Sequence, residues 1–471
     1  MKKLSAICLS LVLTISLFAC SQQPSAAAAD TTVPATSVPA TSAPAPVQTV
    51  SETVPEKQVL PTFRKTGTIE ETVLYDQGNV KITARNLIYD HHGVKLSLIM
   101  ENNTQQPLTF LSGTIGYCRN AVNGYMVPKG YVNEDIAPGK KASETVYFDY
   151  DYLKLLGIFQ IAEIQMDFTI QDENYDTLME TGPLILHTSG YSDYRPYAET
   201  FASILPSPAA VQTFGYTVDF FTQEQLYADG GIRTVCGGII SREGEYSLFL
   251  ELENTTDALI IGRLSNISIN GLQLQFGTRT ADAISPGMHC VSSVNLSDIL
   301  SKNTADLFGI QQISSVSFDL SILDESGNDL TSPQTLTLSV PDTQPALDTS
   351  GTEIANEHGL RLVSKGLSRD DFEYSDDLHI LLLAENQTGE YLTAEDVYNS
   401  LSVNGFMTDC FFYSTEVAPG QFALLDIELP SYALDDNELT FDNIQEAEIQ
   451  LKISRGNAAL GVITLKIPLP S

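Results

Sequence analysis

The chain has 471 residues, which is more than one hydrophobic core usually serves, so we expect two to four domains. It carries 25 Lys and Arg residues against 59 Asp and Glu residues, a formal net charge of −34. Nucleic acids and anionic membrane surfaces attract proteins through clustered Lys and Arg, so this charge argues against nucleic acid as a partner and against charge-driven membrane binding.

The N-terminus predicts a signal peptide over residues 1–19, because two lysines precede the apolar run Leu4 to Phe18. That run is too short to span a bilayer as a helix. The sequence Leu17-Phe18-Ala19-Cys20 resembles the lipobox of bacterial lipoproteins, which ends in an obligatory cysteine. The resemblance implies diacylglyceryl transfer to Cys20 and cleavage before it. The mature chain would then be lipid-anchored at the extracytoplasmic face of the cell membrane.

Residues 20–58 consist mainly of Ser, Thr, Ala, Pro and Val. Such a composition cannot bury enough apolar surface to offset the entropy of ordering, so we predict a disordered tether. Its reach would be roughly 35 Å as a coil and roughly 110 Å as an extended polyproline chain.

The rest of the chain contains one sequence pattern three times. An apolar strand, here called the organising strand, ends in Glu-Asn-x-Thr, and an Asn-Gly turn and a Pro-Gly turn follow it. The Asn-Gly and Pro-Gly glycines are 15 or 16 residues apart in every copy. The motif copies are Glu101–Thr104, Glu253–Thr256 and Glu385–Thr388; the turns are Asn123-Gly124, Asn270-Gly271 and Asn404-Gly405, then Pro138-Gly139, Pro286-Gly287 and Pro419-Gly420.

Alternating apolar residues with frequent turn signals and little helix predict an all-β fold. We expect three tandem immunoglobulin-like antiparallel β-sandwich domains. The predicted repeats cover residues 59–190, 216–345 and 350–471, and residues 191–215 form an inter-domain segment. A short helix is predicted within Tyr152–Leu156 and Asn303–Phe308. The matching stretch Pro430–Leu434 lacks a terminal glycine, which favours a turn.

The arrangement of lipobox, tether and three repeats resembles a group of uncharacterised surface lipoproteins from Gram-positive bacteria of the Firmicutes type. They carry tandem β-sandwich repeats with the same Glu-Asn-x-Thr phrase behind a lipobox and a Pro/Thr/Ser tether. The resemblance implies a cell-surface location and an Ig-like fold. It implies no activity, so Cys20 is the one functional residue it supplies.

The sequence contains only weak motifs for glycosylation, disulfide formation or metal binding. Each Glu-Asn-x-Thr also fits a glycosylation acceptor, but we predict that its Asn and Thr bond local backbone and end the strand. Cys236 and Cys290 fall in one repeat and are predicted to be small buried hydrophobic residues rather than a disulfide. Acidic stretches such as Asp324–Asp329 lack the register of a calcium loop. We therefore expect no metal, no cofactor and no enzymatic activity.

One stretch that does not repeat is rich in tyrosine. Tyr191, Tyr194, Arg195 and Tyr197 lie in the inter-domain segment, and an exposed Tyr/Arg cluster suits recognition of a partner. The alternative, which we favour, is that these rings pack the joint between two repeats.

These observations lead to one main functional hypothesis and two alternatives. The main hypothesis is a non-catalytic, lipid-anchored surface protein whose domains serve as a stalk or a protein-binding array, with an envelope or host protein as partner. The first alternative is a lipoprotein that binds a peptide or glycan for a transporter or sensor. A hydrolase is the least favoured, because catalytic motifs are missing from the sequence.

Overall fold

The described part of the chain is mostly β, as predicted, with antiparallel sheets and only short helices. A computed structural model describes residues 59–114, 117–127, 130–274, 280–297, 300–369 and 375–469, without the side chains of residues 114, 117 and 118. The predicted signal peptide, Cys20 and the tether lie outside these residues. Within the described part, no helix is long and apolar enough to cross a membrane.

Every repeat contains short and long strands and one short helix. The first repeat has β1 (Thr72–Gln77), β2 (Val80–Tyr89), β3 (Gly93–Asn102), β4 (Leu108–Thr114), β5 (Tyr117–Cys118), β6 (Ala121–Val122), β7 (Tyr125–Met126), β8 (Asn133–Ile136), β9 (Lys140–Asp149), α1 (Tyr150–Leu155), β10 (Glu163–Met166), β11 (Phe168–Gln171), β12 (Thr177–Glu180) and β13 (Leu184–His187). The inter-domain segment has a 3-10 turn (Tyr191–Asp193), α2 (Phe201–Ile204) and α3 (Pro208–Phe214).

The second repeat has β14 (Thr217–Thr222), β15 (Ala228–Asp229), β16 (Ile232–Arg242), β17 (Glu245–Asn254), β18 (Ile260–Ile269), β19 (Leu272–Gln273), β20 (Thr280–Ile284), β21 (His289–Asn295), α4 (Lys302–Leu307), β22 (Ser315–Leu323) and β23 (Gln334–Ser339). The third has β24 (Thr352–Glu357), β25 (Leu360–Arg369), β26 (Leu378–Asn386), β27 (Leu392–Asp396), β28 (Ser402–Val403), β29 (Phe406–Met407), β30 (Phe411–Phe412), β31 (Thr415–Val417), β32 (Phe422–Leu429), α5 (Ser431–Asp435), β33 (Glu446–Arg455) and β34 (Ala458–Pro468).

The organising strands β3, β17 and β26 each end on the asparagine of Glu-Asn-x-Thr, which is fully buried in all three copies. In the third copy Asn386 Nδ2 donates to the carbonyl oxygens of Glu390 and Val417, both at 2.8 Å. Its Oδ1 accepts from Thr388 N at 2.9 Å and from Thr388 Oγ1 at 2.7 Å. The same four bonds recur at Asn102 and Asn254. The predicted structural role of the motif is therefore confirmed.

The Asn-Gly turns are also tied into the fold. Asn404 and Gly405 have φ angles of 49° and 83°, which is the left-handed pair that a two-residue type I′ hairpin needs. The Asn404 side chain then bonds backbone on both sides of Ile444, through the carbonyl of Asn443 and the amide of Gln445. Equivalent bonds hold the first and second hairpins.

The helix that follows the Pro-Gly strand is present in all three copies. Asp149 caps α1, with Oδ1 accepting from the amides of Asp151 and Tyr152. Ser301 caps α4, with its hydroxyl oxygen accepting from the amide of Thr304. The prediction of a turn at the third site was wrong, because Pro430 presets an extended entry and Ser431–Asp435 forms a helix that ends without glycine.

The sheets do not stop at the predicted repeat boundaries. One sheet of the first repeat runs β1-β2-β3-β9 and another runs β12-β11-β4-β5, with β8 beside β4. A third sheet has the order β13-β10-β6-β7-β21-β17-β16-β14, so it combines strands of repeats one and two. A fourth, β23-β22-β18-β19-β32-β26-β25-β24, combines repeats two and three in the same manner. The last contains β29-β28-β33-β27-β31, with β34 on β33.

The hydrophobic cores follow this continuity. Phe249 of the second repeat packs in the core of the first. Leu381, Leu383 and Leu424 of the third repeat pack in the core of the second. Gln58–Ser471 accordingly forms one contact unit. The boundaries at 190, 216, 345 and 350 remain a prediction.

Candidate functional site

The two junctions between repeats are made by the Asn-Gly hairpins. The second hairpin strand, β7 or β19, pairs in parallel with the strand that follows the Pro-Gly turn of the next repeat, β21 or β32. Tyr125 pairs with His289 at the first junction, and Leu272 pairs with Phe422 at the second. His289 N donates to Gly124 O at 2.8 Å across the first junction. Backbone pairing therefore links neighbouring repeats directly.

A fully buried carboxylate lies at the first junction. Glu251 Oε1 accepts from the Tyr125 hydroxyl at 2.9 Å and lies 2.8 Å from His289 Nδ1. The Cys236 thiol donates to Glu251 Oε2 at 3.4 Å. The Tyr125 hydroxyl also accepts from the amide of Phe201 at 3.1 Å. The carboxylate therefore joins a side chain of the first repeat to two of the second.

Cys, His and Glu in contact resemble a nucleophilic constellation, but the geometry is structural. Burial raises the pKa of the Cys236 thiol well above its usual value, and the neighbouring Glu251 raises it further. A reactive cysteine needs a lowered pKa and access, and Cys236 is 1% exposed. Cys290, also buried, has a raised pKa for the same reason, and both thiols are free. The prediction of small buried residues is confirmed.

A second polar contact crosses the same junction. Arg119 is 5% exposed, and its guanidinium lies 3.5 Å from Asp167 Oδ2 and also contacts Glu325 of the second repeat. Burial raises the pKa of Asp167 more than the adjacent guanidinium lowers it. Asp167 belongs to the same repeat as Arg119, so the buried guanidinium keeps this partner whether or not the repeats are joined. The contact across the junction uses the half-exposed carboxylate of Glu325, and a pair of that kind adds little to the stability of the junction.

The predicted Tyr/Arg stretch lies along this junction. The Tyr197 ring centroid is 6.0 Å from that of Tyr125 and 4.6 Å from that of His289. Burial raises the pKa of Tyr197 to about 12. The Tyr194 hydroxyl donates to the carbonyl of Asn123 in the hairpin turn at 2.8 Å, and burial raises its pKa.

The other two predicted residues are more peripheral. Tyr191 is 42% exposed and stacks on His187 with centroids 3.6 Å apart. Arg195 is exposed, and its Nη1 donates to the carbonyl of its neighbour Tyr194. Two of the four residues thus contact the hairpin of the junction, and two lie beside it.

Two clefts flank these tyrosines. The first, of about 250 Å³, is lined by residues that include Arg64, Tyr194 and Arg195. The second, of about 360 Å³, shares Tyr194 and Tyr197 with the first, and its lining includes Glu163 and Met288. Drug-sized ligand pockets are typically about 300–1,000 Å³ and mainly apolar, so the first cleft falls below that range and the second lies at its lower end.

The second junction has a different interior. Gln273 Nε2 donates to the carbonyl of Glu416, and its Oε1 accepts from Ala418 N at 3.1 Å. Leu383 occupies the place that Glu251 holds at the first junction, since both lie two residues before the motif glutamate. The apolar residue buries against the second core. The ionisable cluster is therefore particular to the first junction.

Sequence reasoning did not find Tyr125, Glu251 or His289. One signal was present, because aligning the copies on Glu-Asn-x-Thr places Ile99, Glu251 and Leu383 at one position. A carboxylate at a position where the other two copies have an apolar residue indicates that a buried polar partner lies beside it. Among the described residues, no three His, Cys, Asp or Glu side chains group as a metal site would require.

No protein-family model matches the chain, and neither does a curated protein. Three solved structures illustrate the similarity found. A protein of unknown function from Porphyromonas gingivalis W83 is 15% identical, covering 48% of this chain and 92% of its own, with a TM-score of 0.14. A 1.5-MDa bacterial ice-binding adhesin is 10% identical, covering 79% of this chain and 88% of its own, with a TM-score of 0.13. The exo-chitosanase CsxA of Amycolatopsis orientalis is 10% identical, covering 49% of this chain and 26% of its own, with a TM-score of 0.16. Such values carry no argument about function.

Proposed function

We propose that the protein is a lipid-anchored, non-catalytic surface protein of a bacterium, in which three coupled sandwiches present a fixed array beyond the membrane. The observation that carries this proposal is the continuity of two sheets through both junctions. Shared backbone pairing restrains the repeats against bending, whereas a flexible linker would leave them independent. A restrained array suits a stalk or a docking platform.

Two further observations support the non-catalytic part. The ionisable side chains around Glu251 at the first junction are buried and bonded to Glu251, which leaves them little access to a substrate. The tyrosines that suggested recognition bond to the hairpin and pack on it. We assign the junction chemistry to holding the repeats together.

The anchor is tested by lipid labelling at Cys20. Cells expressing the full chain are fed an alkyne fatty acid, and the labelled protein is followed by detergent phase partitioning. Labelling and detergent partitioning are expected for the wild-type chain, and Cys20→Ser is expected to abolish labelling. Cys410→Ser is the matched control, which should keep the label. A wild-type chain without label, or a Cys20→Ser chain that retains it, would overturn the anchor.

A further inference from the structure

The third Asn-Gly hairpin has the fold of the first two, but its outer edge carries no strand in the described part of the chain. Phe406 is 51% exposed and Met407 is 62% exposed. The matching residues Tyr125 and Leu272 are 1% and 0% exposed, because the next repeat covers them. This apolar strand edge is buried at the first two hairpins and exposed at the third. An exposed edge of this kind indicates a place where a further strand can pair.

The first repeat has the complementary open edge on β9. β21 and β32 each pair with an organising strand on one side and with the preceding hairpin on the other. β9 pairs with its organising strand in the same register, with Lys141 opposite Glu101 as Phe422 is opposite Glu385. Within the described residues β9 ends its sheet, so the side that would meet a hairpin is open.

We propose that a second copy of this chain fills the open hairpin, with β29 of one copy pairing in parallel with the start of β9 of the next. The register of the second junction places Phe406 beside Lys141 and Met407 beside Ala142. The contact joins two different surfaces, so its repetition builds a head-to-tail row or a ring. The proposal goes beyond the proposed function and does not depend on the lipid anchor.

Charge favours this pairing over a contact between two hairpins. Lys140 and Lys141 are exposed at the start of β9. Asp409 is exposed just after the open hairpin, and β33 on the inner side of the hairpin carries the exposed Glu446 and Glu448, the latter 3.8 Å from Lys466 Nζ. Lys140 provides the opposite charge at this edge, while Nζ of the neighbouring Lys141 lies 2.8 Å from Glu101 Oε2 of the same repeat. Two hairpins brought together would instead place like charges in contact, which is unfavourable.

The contact between copies should be weaker than the internal junctions. Leu383 and Leu424 bury their side chains at the second junction. Ile99 and exposed Ser143 stand at the same positions in the first repeat, so less apolar area is available. Association between copies is therefore reversible and rises with protein concentration.

Sedimentation velocity of residues 21–471, which lack the predicted signal peptide and the lipidation site Cys20, over about a hundredfold range of concentration tests the proposal. Wild type is expected to shift from monomer towards larger species. Two variants should each stay monomeric: Phe406→Asp with Met407→Lys, which alters the hairpin, and Lys140→Glu with Lys141→Glu, which alters β9. Lys302→Glu with Arg242→Glu is the charge-matched control and should associate like wild type. Circular dichroism checks that every variant keeps its strand content.

Mixing the two variants gives the decisive outcome. One retains β9 and the other retains the hairpin, so a mixture has one productive contact and should form a one-to-one dimer that grows no further. A wild type that stays monomeric overturns the proposal. A mixture without dimer overturns it as well. Loss of association in the hairpin variant with full association in the lysine variant would indicate contact between two hairpins, against head-to-tail pairing.

Discussion

Asn386→Ala is expected to lower the free energy of unfolding by about 3 kcal/mol, because it leaves two backbone carbonyls and one amide without their buried partner. Val417 O loses its bond in a fully buried setting, so water cannot replace the amide there. The loss should appear as a lower midpoint in urea unfolding followed by the sheet signal of circular dichroism.

Gln387→Ala is the matched control for that change. Gln387 follows Asn386 in the same turn and its side chain is exposed, while its backbone amide keeps the bond to Gly359 O. We expect a change within about 0.5 kcal/mol. Equal losses at both positions would show that the turn tolerates no substitution in general. A neutral Asn386→Ala would contradict the role assigned to the motif.

Glu251→Ala is expected to cost about 3 kcal/mol or more, since it opens a cavity and leaves buried polar groups of Tyr125, His289 and Cys236 without their acceptor. The effect should be concentrated at the first junction. Unfolding is then expected to separate into two transitions, because the first repeat loses its coupling to the rest. Differential scanning calorimetry measures both the cost and the separation.

Two further variants sharpen that experiment. Glu251→Gln keeps the size and one acceptor oxygen, so about half the loss is expected. Glu245→Ala removes an exposed carboxylate at the start of the same strand and should have little effect. A Glu251→Ala protein that unfolds in one transition at the wild-type temperature would contradict the assignment of the cluster to the junction.

The features that were predicted correctly from the sequence depend on residues close to one another along the chain. The asparagine of Glu-Asn-x-Thr and the Asn-Gly turn act on their own neighbourhood, so residue type and spacing define their bonds. The cap at Asp149 is equally local. The Pro430 helix was missed because the absence of a terminal glycine received more weight than the preset backbone of proline at the entry.

The junctions depend on contacts between distant residues, and these were not predicted. β7 and β19 have two residues each, which is too short for any alternation to show. The parallel partners of Tyr125 and Leu272 lie more than a hundred residues away along the chain. The position of Tyr194 and Tyr197 beside a hairpin fits the favoured interpretation of a packed joint, but their partners were not identified from sequence.

Hydrogen exchange at the amide of His289 tests the central claim, that neighbouring repeats are joined by shared backbone pairing. This amide donates to Gly124 O across the first junction. The account predicts that it exchanges as slowly as the amide of Leu250 inside β17, because both open only when the sheet opens. An amide of His289 that exchanges at the rate of exposed loops, while Leu250 stays protected, would show that the repeats move independently and would contradict the account.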